Sequence, residues 1–158
     1  MARKRFSRKE RSEFEQKLLE LARVTRVVKG GRRFRFRAVV AAGNRNGKVG
    51  IGVSKGVDVS EAVRKAFNSA RRNMIQVKRY NNTIACKAEA KVGSAKVLIK
   101  PAKPGRGIVA GGAVRAVVEM AGIRDIVSKS LGSANKLSVA RATVKALEQV
   151  KVLSGREK

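Results

Sequence analysis

Between Arg33 and Val53 the chain reads RFRFRAVVAAGNRNGKVGIGV, and this alternation constrains the fold more tightly than any other feature of the sequence. Phe34, Phe36, Ala38 and Val40 alternate with Arg33, Arg35, Arg37 and Val39, a two-residue repeat that an extended strand separates onto two faces. One face is apolar and the other carries arginine. Gly43, Asn44, Arg45, Asn46 and Gly47 tolerate positive φ, as a hairpin turn requires. Val49, Ile51 and Val53 then resume the alternation, with Gly50 and Gly52 on the other face. Together with Thr25 to Lys29, the segment predicts three antiparallel strands.

The period changes after Asp58. Asp58 with Glu61 is an N-cap arrangement, and Val59, Ala62, Val63, Ala66, Phe67 and Ala70 keep the spacing of a helix face. This face of small residues around one Phe suits close packing on a sheet, and it leaves Arg64, Lys65, Arg71 and Arg72 for solvent or RNA. Upstream, Phe14, Leu18, Leu19, Leu21 and Ala22 fall near helical spacing and predict a short helix from Ser12 to about Arg23. The preceding MARKRFSRKER reads as a mobile basic arm over residues 1 to about 10.

A second unit begins near Tyr80. Ile84, Cys86, Ala88 and Ala90 alternate with Lys87, Glu89 and Lys91, and Lys96 to Lys100 is strand-like after a turn at Gly93-Ser94, with Pro101 and Pro104 closing the hairpin. Gly111-Gly112 opens a helix with Ala113, Val114, Val117, Val118 and Ala121 inward, and Gly122 stops it. Ile123 to Val127 predicts a strand. Leu137, Ala140, Val144 and Leu147 mark a last helix capped by Ser133 or Asn135. The expectation is an α+β chain of two small domains, βββα then ββαβα. The parts are an arm and short helix at 1–22, a first domain at 23–75, a second at 76–151 and a tail at 152–158.

Charge decides what such a chain meets. Its 158 residues hold 38 Lys and Arg against 11 Asp and Glu, a net charge of +27, so the expected partner is a polyanion. With 43% hydrophobic residues it can still build cores. The absence of histidine and a single cysteine, Cys86, exclude an intramolecular disulfide, a Cys/His metal cluster and imidazole acid–base chemistry. A reducing, intracellular setting fits, and Cys86 reads as a small apolar strand residue. No apolar run is long enough to span a membrane, and no apolar signal core follows the basic N-terminus.

The glycine stretch PGRGIVAGGAVRAV fails both nucleotide-binding patterns. Gly105, Gly107 and Gly111 are too widely spaced for a dinucleotide fingerprint, and Ala113 stands where a Walker loop needs lysine. The carboxylates form no acid–base or metal constellation, so no cofactor, metal or catalytic residue is expected. The basic residues instead form clusters: the arm, the strand face Arg33, Arg35 and Arg37, the turn with Arg45 and Lys48, and Arg71-Arg72 on the helix. Aromatics total only 4%, which disfavours base stacking and favours phosphate, 2′-OH and shape contacts with structured RNA. The rival functions are a free RNA chaperone or nucleoid protein and an RNA-modifying enzyme.

The segments VKGGRRFRFRAVVAAGNRNGKVGIGVSKGVDVSEAVRKAFNSARRN and PAKPGRGIVAGGAVRAVVEMAGIRDIVSKSLGSANKLSVARATVKALE resemble the two halves of bacterial-type small-subunit ribosomal protein five. The likeness runs from about Leu18 to Val150, and Ala42 departs from a larger aliphatic residue. It implies a domain similar to double-stranded-RNA-binding folds followed by a βαβ-containing domain, together gripping ribosomal RNA. It further implies a scaffold and no enzyme, on a cytoplasmic or organellar ribosome. The implied neighbours are small-subunit proteins four and eight and messenger RNA where it enters the subunit, with an influence on decoding accuracy. The family's loop near the spectinomycin site matches Val24, Thr25 and Arg26 beside Arg23, with Lys29, Gly30 and Gly31 turning towards RNA. Its contact with protein four matches Gly107 and Arg115, with Gly105 in the same loop.

Overall fold

A computed structural model describes residues 13–150; the expected basic arm and the tail at 152–158 lie outside the described residues. The chain forms two four-stranded sheets, each carrying helix on one face. The first holds β1 (Glu15–Val28), β2 (Gly31–Gly43), β3 (Lys48–Gly56) and, after α1 (Val59–Arg72), the short β4 (Ile75–Gln76), antiparallel in the order β1-β2-β3-β4. The second holds β5 (Ala88–Val92), β6 (Ala95–Pro101), β7 (Ile108–Val109) and β8 (Ile126–Gly132) in the order β5-β6-β8-β7. α2 (Gly112–Ala121) joins β7 to β8, which run parallel, and α3 (Lys136–Gln149) closes the chain.

The short helix expected from Ser12 is instead the first half of β1. Between Leu18 and Glu20 the register with β2 slips by one residue, so Leu18 faces Val40 and Glu20 faces Val39 while Leu19 is the extra residue of a bulge. That insertion breaks the two-residue period and imitates helical spacing. The expected boundary at 22 therefore cuts β1, and the one at 75 cuts β4. Residues Ile84 to Lys87 are likewise outside a strand, because a Tyr80–Thr83 bridge closes a turn and β5 begins only at Ala88; Cys86 packs in this bend against the main core. The strand expected at Ile123 starts at Ile126, and α3 is capped by the Asn135 carboxamide, which accepts from Leu137 N–H at 3.0 Å.

Packing explains the glycines of β3. Its Gly50, Gly52 and Gly56 lie under α1, where a Cβ at Gly52 would stand 2.0 Å from the Ala66 carbonyl oxygen. Ala62, Ala66 and Ala70 on the helix are fully buried, and with Ala38 and Val40 they make a thin seam with no room for larger groups. The Asp58 carboxylate caps α1 by accepting from Val59 N–H at 2.7 Å, and Glu61 reaches back to Val57 N–H at 2.9 Å.

The opposite face of the first sheet meets the second domain. Ala41 and Val49, with the half-buried Leu19 and Ile51, join one core with Val114, Val117, Val118, Ile123 and Leu147. The turn between β2 and β3 completes the junction by capping α2 from outside. Arg45 N–H donates to the Met120 carbonyl and Gly47 N–H to the Ala121 carbonyl, each at 3.0 Å, satisfying helix-end acceptors that have no partner within α2. Arg45 adopts φ 53 to do so, and Gly122, at φ 78, lies so close that a Cβ would stand 1.9 Å from the Arg45 carbonyl oxygen.

Candidate nucleic-acid interface

β3 pairs with β2 only as far as Phe36, opposite Gly56. Beyond that point β1 and β2 continue as a two-stranded ribbon closed by Lys29 and Gly30, with Val28 opposite Gly31. Register assigns its faces. Arg26 lies opposite Arg33 and Val24 opposite Arg35, on the face that also carries Arg37 and, one strand further in, Lys55. The other face holds Arg23, Thr25, Phe34 and Arg32, with the Arg23 guanidinium 3.6 Å from the centroid of the Phe34 ring.

Arg26, Arg33 and Arg35 are exposed, and none of the ion pairs among the described residues includes them or Arg23, Lys29 or Arg32. Arg37 differs: half-buried, it pairs with Glu20 at 3.3 Å. The arginine row expected from the alternation is thus three open cations followed by one structural ion pair. Val39 and Ala41 continue that face into the interdomain core, which explains why arginine gives way to apolar residues there. Val24, Thr25 and Arg26, expected in a loop, lie on strand β1, because the turn is only Lys29 and Gly30; with Arg33, Arg35 and Lys55 they line a shallow recess of about 210 Å³.

The remaining expected contacts stand apart. α1 runs antiparallel to β3, with Ala62 over Gly56 and Ala70 over Gly50, so Arg71 and Arg72 project near Lys48, about 26 Å of strand from the ribbon. Arg71 sits 5.6 Å from the Phe14 ring centroid, and Arg64 lies midway along the helix among Phe14, Val63 and Phe67. The Arg45 side chain is exposed but bonded to Glu15 at 2.7 Å, and its backbone serves the domain junction.

In the second domain, Gly105 and Gly107 have φ of 84 and 77 and open space where a Cβ would point. The loop is pinned from within: the buried Asp125 carboxylate accepts from Gly107 N–H at 2.8 Å, and Arg115 donates to the Ile108 carbonyl at 2.8 Å. Several residues here were missed by sequence reasoning. Lys55 and Arg32 follow from strand register, but Arg79 and Asp125 act through contacts between segments far apart in the chain. Among the described residues no group of three or more His, Cys, Asp or Glu could hold a metal ion. No helix is long and apolar enough to cross a membrane.

An α+β chain with a cationic ribbon free of counter-charges belongs to the class of polyanion-binding structural proteins. Residues 14–78 match the model for the N-terminal domain of ribosomal protein S5, and residues 90–154 match that for its C-terminal domain. The small ribosomal subunit proteins uS5 of Campylobacter jejuni strains 81-176 and RM1221 are each 51% identical over 141 residues, covering 89% of this chain and 96% of theirs. The chain belongs to the ribosomal protein S5 family.

Proposed function

We propose that this chain is a structural constituent of the small ribosomal subunit, held there by ribosomal RNA and acting by position without catalysis. The observation that carries this reading is the ribbon, whose cations lack counter-charges within the described chain. Arg23, Thr25, Arg26, Lys29, Arg33 and Arg35, with the backbone of Gly30 and Gly31, contact phosphate and 2′-OH groups. Lys48, Arg71 and Arg72, with Arg64, form a second contact at the far end of the sheet. Arg37 and Arg45 contribute less charge, each being shared with a carboxylate. Val24, Thr25 and Arg26 form the antibiotic-proximal segment of the ribbon.

Gly105, Gly107 and Arg115 form a seam for neighbouring small-subunit proteins, four and eight in the family's arrangement, beside the incoming messenger RNA, and through it the chain influences decoding accuracy. The chain is ribosome-bound in the cytoplasm or an organelle, and the domains divide between β4 and β5. The test is sedimentation of lysate through a sucrose gradient at subunit-separating magnesium, with each fraction assayed for this chain. One copy per small subunit, retained through a high-salt wash, is expected. Spread through the free-protein fractions would instead mark a loosely associated RNA chaperone.

A further inference from the structure

Arginine is concentrated a second time, away from the ribbon. Arg45, Arg79, Arg115 and Arg124 line a groove of about 630 Å³ between the domains, along the face of α2 that carries Arg115, Glu119 and Gly122. Ile108 and the buried Ile123 add apolar wall. Two of the guanidinium groups are fixed by neutral acceptors. Arg79 donates to the Gly122 carbonyl at 3.2 Å and to Asn46 Oδ1 at 2.5 Å, and Arg115 donates to the Ile108 carbonyl. Such bonds hold a guanidinium in place without neutralising it. Arg124 takes part in no ion pair among the described residues, and the one carboxylate lining the groove, Glu119, is paired with Lys17.

We propose that this groove is a second anion site, specific for a phosphate group and independent of the ribbon. Arg79, Arg115 and Arg124 supply three unneutralised, planar donor forks on concave walls, which concentrate the field over the cavity. A side-chain carboxylate offers two acceptor oxygens and one charge, enough for a single fork. A phosphate offers more acceptors and remains charged as a diester, and the volume also admits its attached sugar. The phosphate can come from an RNA backbone or from a small phosphate-bearing molecule; both present the same chemistry to these arginines.

The test uses the whole chain with the ribbon disabled by Arg26→Gln, Arg33→Gln and Arg35→Gln, so that failure of the groove and failure of the ribbon are read separately. Anisotropy of a labelled single-stranded RNA tetranucleotide reports the remaining affinity. Adding Arg124→Gln or Arg115→Gln should weaken it at least tenfold, with circular dichroism unchanged. Arg79 is left intact because it also holds Gly122. Displacement by millimolar pyrophosphate would show that free phosphate suffices, and resistance to it would assign the groove to RNA backbone; either supports the site. Equal affinity with and without Arg124 and Arg115, or displacement by a glutamate decapeptide as effective as by pyrophosphate, would overturn it.

Discussion

Arg26 lies directly opposite Arg33 across the β1–β2 ribbon, a like-charge pair that no carboxylate among the described residues relieves. Such a pair opposes strand pairing in the free chain and favours it once a polyanion lies across both side chains. Replacing Arg33 by Thr should therefore stabilise the isolated protein by about 0.2–1 kcal/mol while weakening RNA binding. Urea unfolding and RNA titration of the same variant check both signs, and a loss in both would show that Arg33 serves folding.

The salt dependence of RNA binding separates ribbon residues from structural ones. Each neutralised phosphate steepens the log–log slope by roughly 0.7–0.9, so Gln at Arg26, Arg33 and Arg35 together should flatten it by about 2–3. Arg37→Gln should barely change the slope, because that guanidinium is already committed to Glu20. An equal effect from Arg37 would mean that the ion pair opens on binding.

Gly52 tests the close approach of α1. A methyl group there would meet the Ala66 carbonyl oxygen at 2.0 Å and the Ala70 nitrogen at 2.4 Å, both backbone atoms that cannot turn aside. Gly52→Ala should cost at least about 2 kcal/mol by urea unfolding. Gly30→Ala, with nothing near its Cβ position, is the matched control and should cost little.

These glycines show how much of the fold the sequence exposes. The alternation from Arg33 to Val53 and the small face of α1 identify strand, turn, strand and helix, because each signal is local and periodic. Leu19 shows the limit: one bulged residue turns a strand pattern into an apparent helix, and only pairing with β2 reveals it. Among the site residues, Arg26, Arg33 and Arg35 stand out by charge, whereas Arg37 looks identical in sequence and differs only because Glu20 reaches it across the sheet. Arg45 reads as a basic turn, and its backbone role depends on α2, more than seventy residues later.

The start of α1 should respond to acid. Asp58 is held below the ordinary carboxylate range chiefly by the Ser60 hydroxyl and then by Val59 N–H, and Glu61 by its bond to Lys65 and then Val57 N–H. A depressed carboxylate stabilises the fold above its unfolded value, and that contribution disappears as pH falls through the folded value. The helix start should thus be unchanged from pH 7 to pH 5 and loosen through and below about pH 4. Amide NMR shifts of Val59 and Val57 should follow this course, and midpoints at ordinary carboxylate values would remove the proposed role of these bonds.

Gly107 allows a functional effect to be separated from a folding one. Its φ of 77 strains any residue with a side chain, yet nothing lies within 4 Å of its Cβ position, so Gly107→Leu should cost about 1–2 kcal/mol and leave the protein folded. The new side chain would project outwards from the loop that Asp125 anchors. If that loop forms the seam with a neighbouring subunit protein, ribosomes carrying Gly107→Leu should misread more often in a stop-codon reporter. Asp125→Ala tests the same loop from inside: it leaves the Gly107 N–H without its acceptor and should loosen the loop without adding bulk at the surface. Increased misreading with Gly107→Leu alone would place the effect in the contact itself. Equal increases from both would place it in the loop's rigidity, and unchanged misreading from either would remove the seam from decoding.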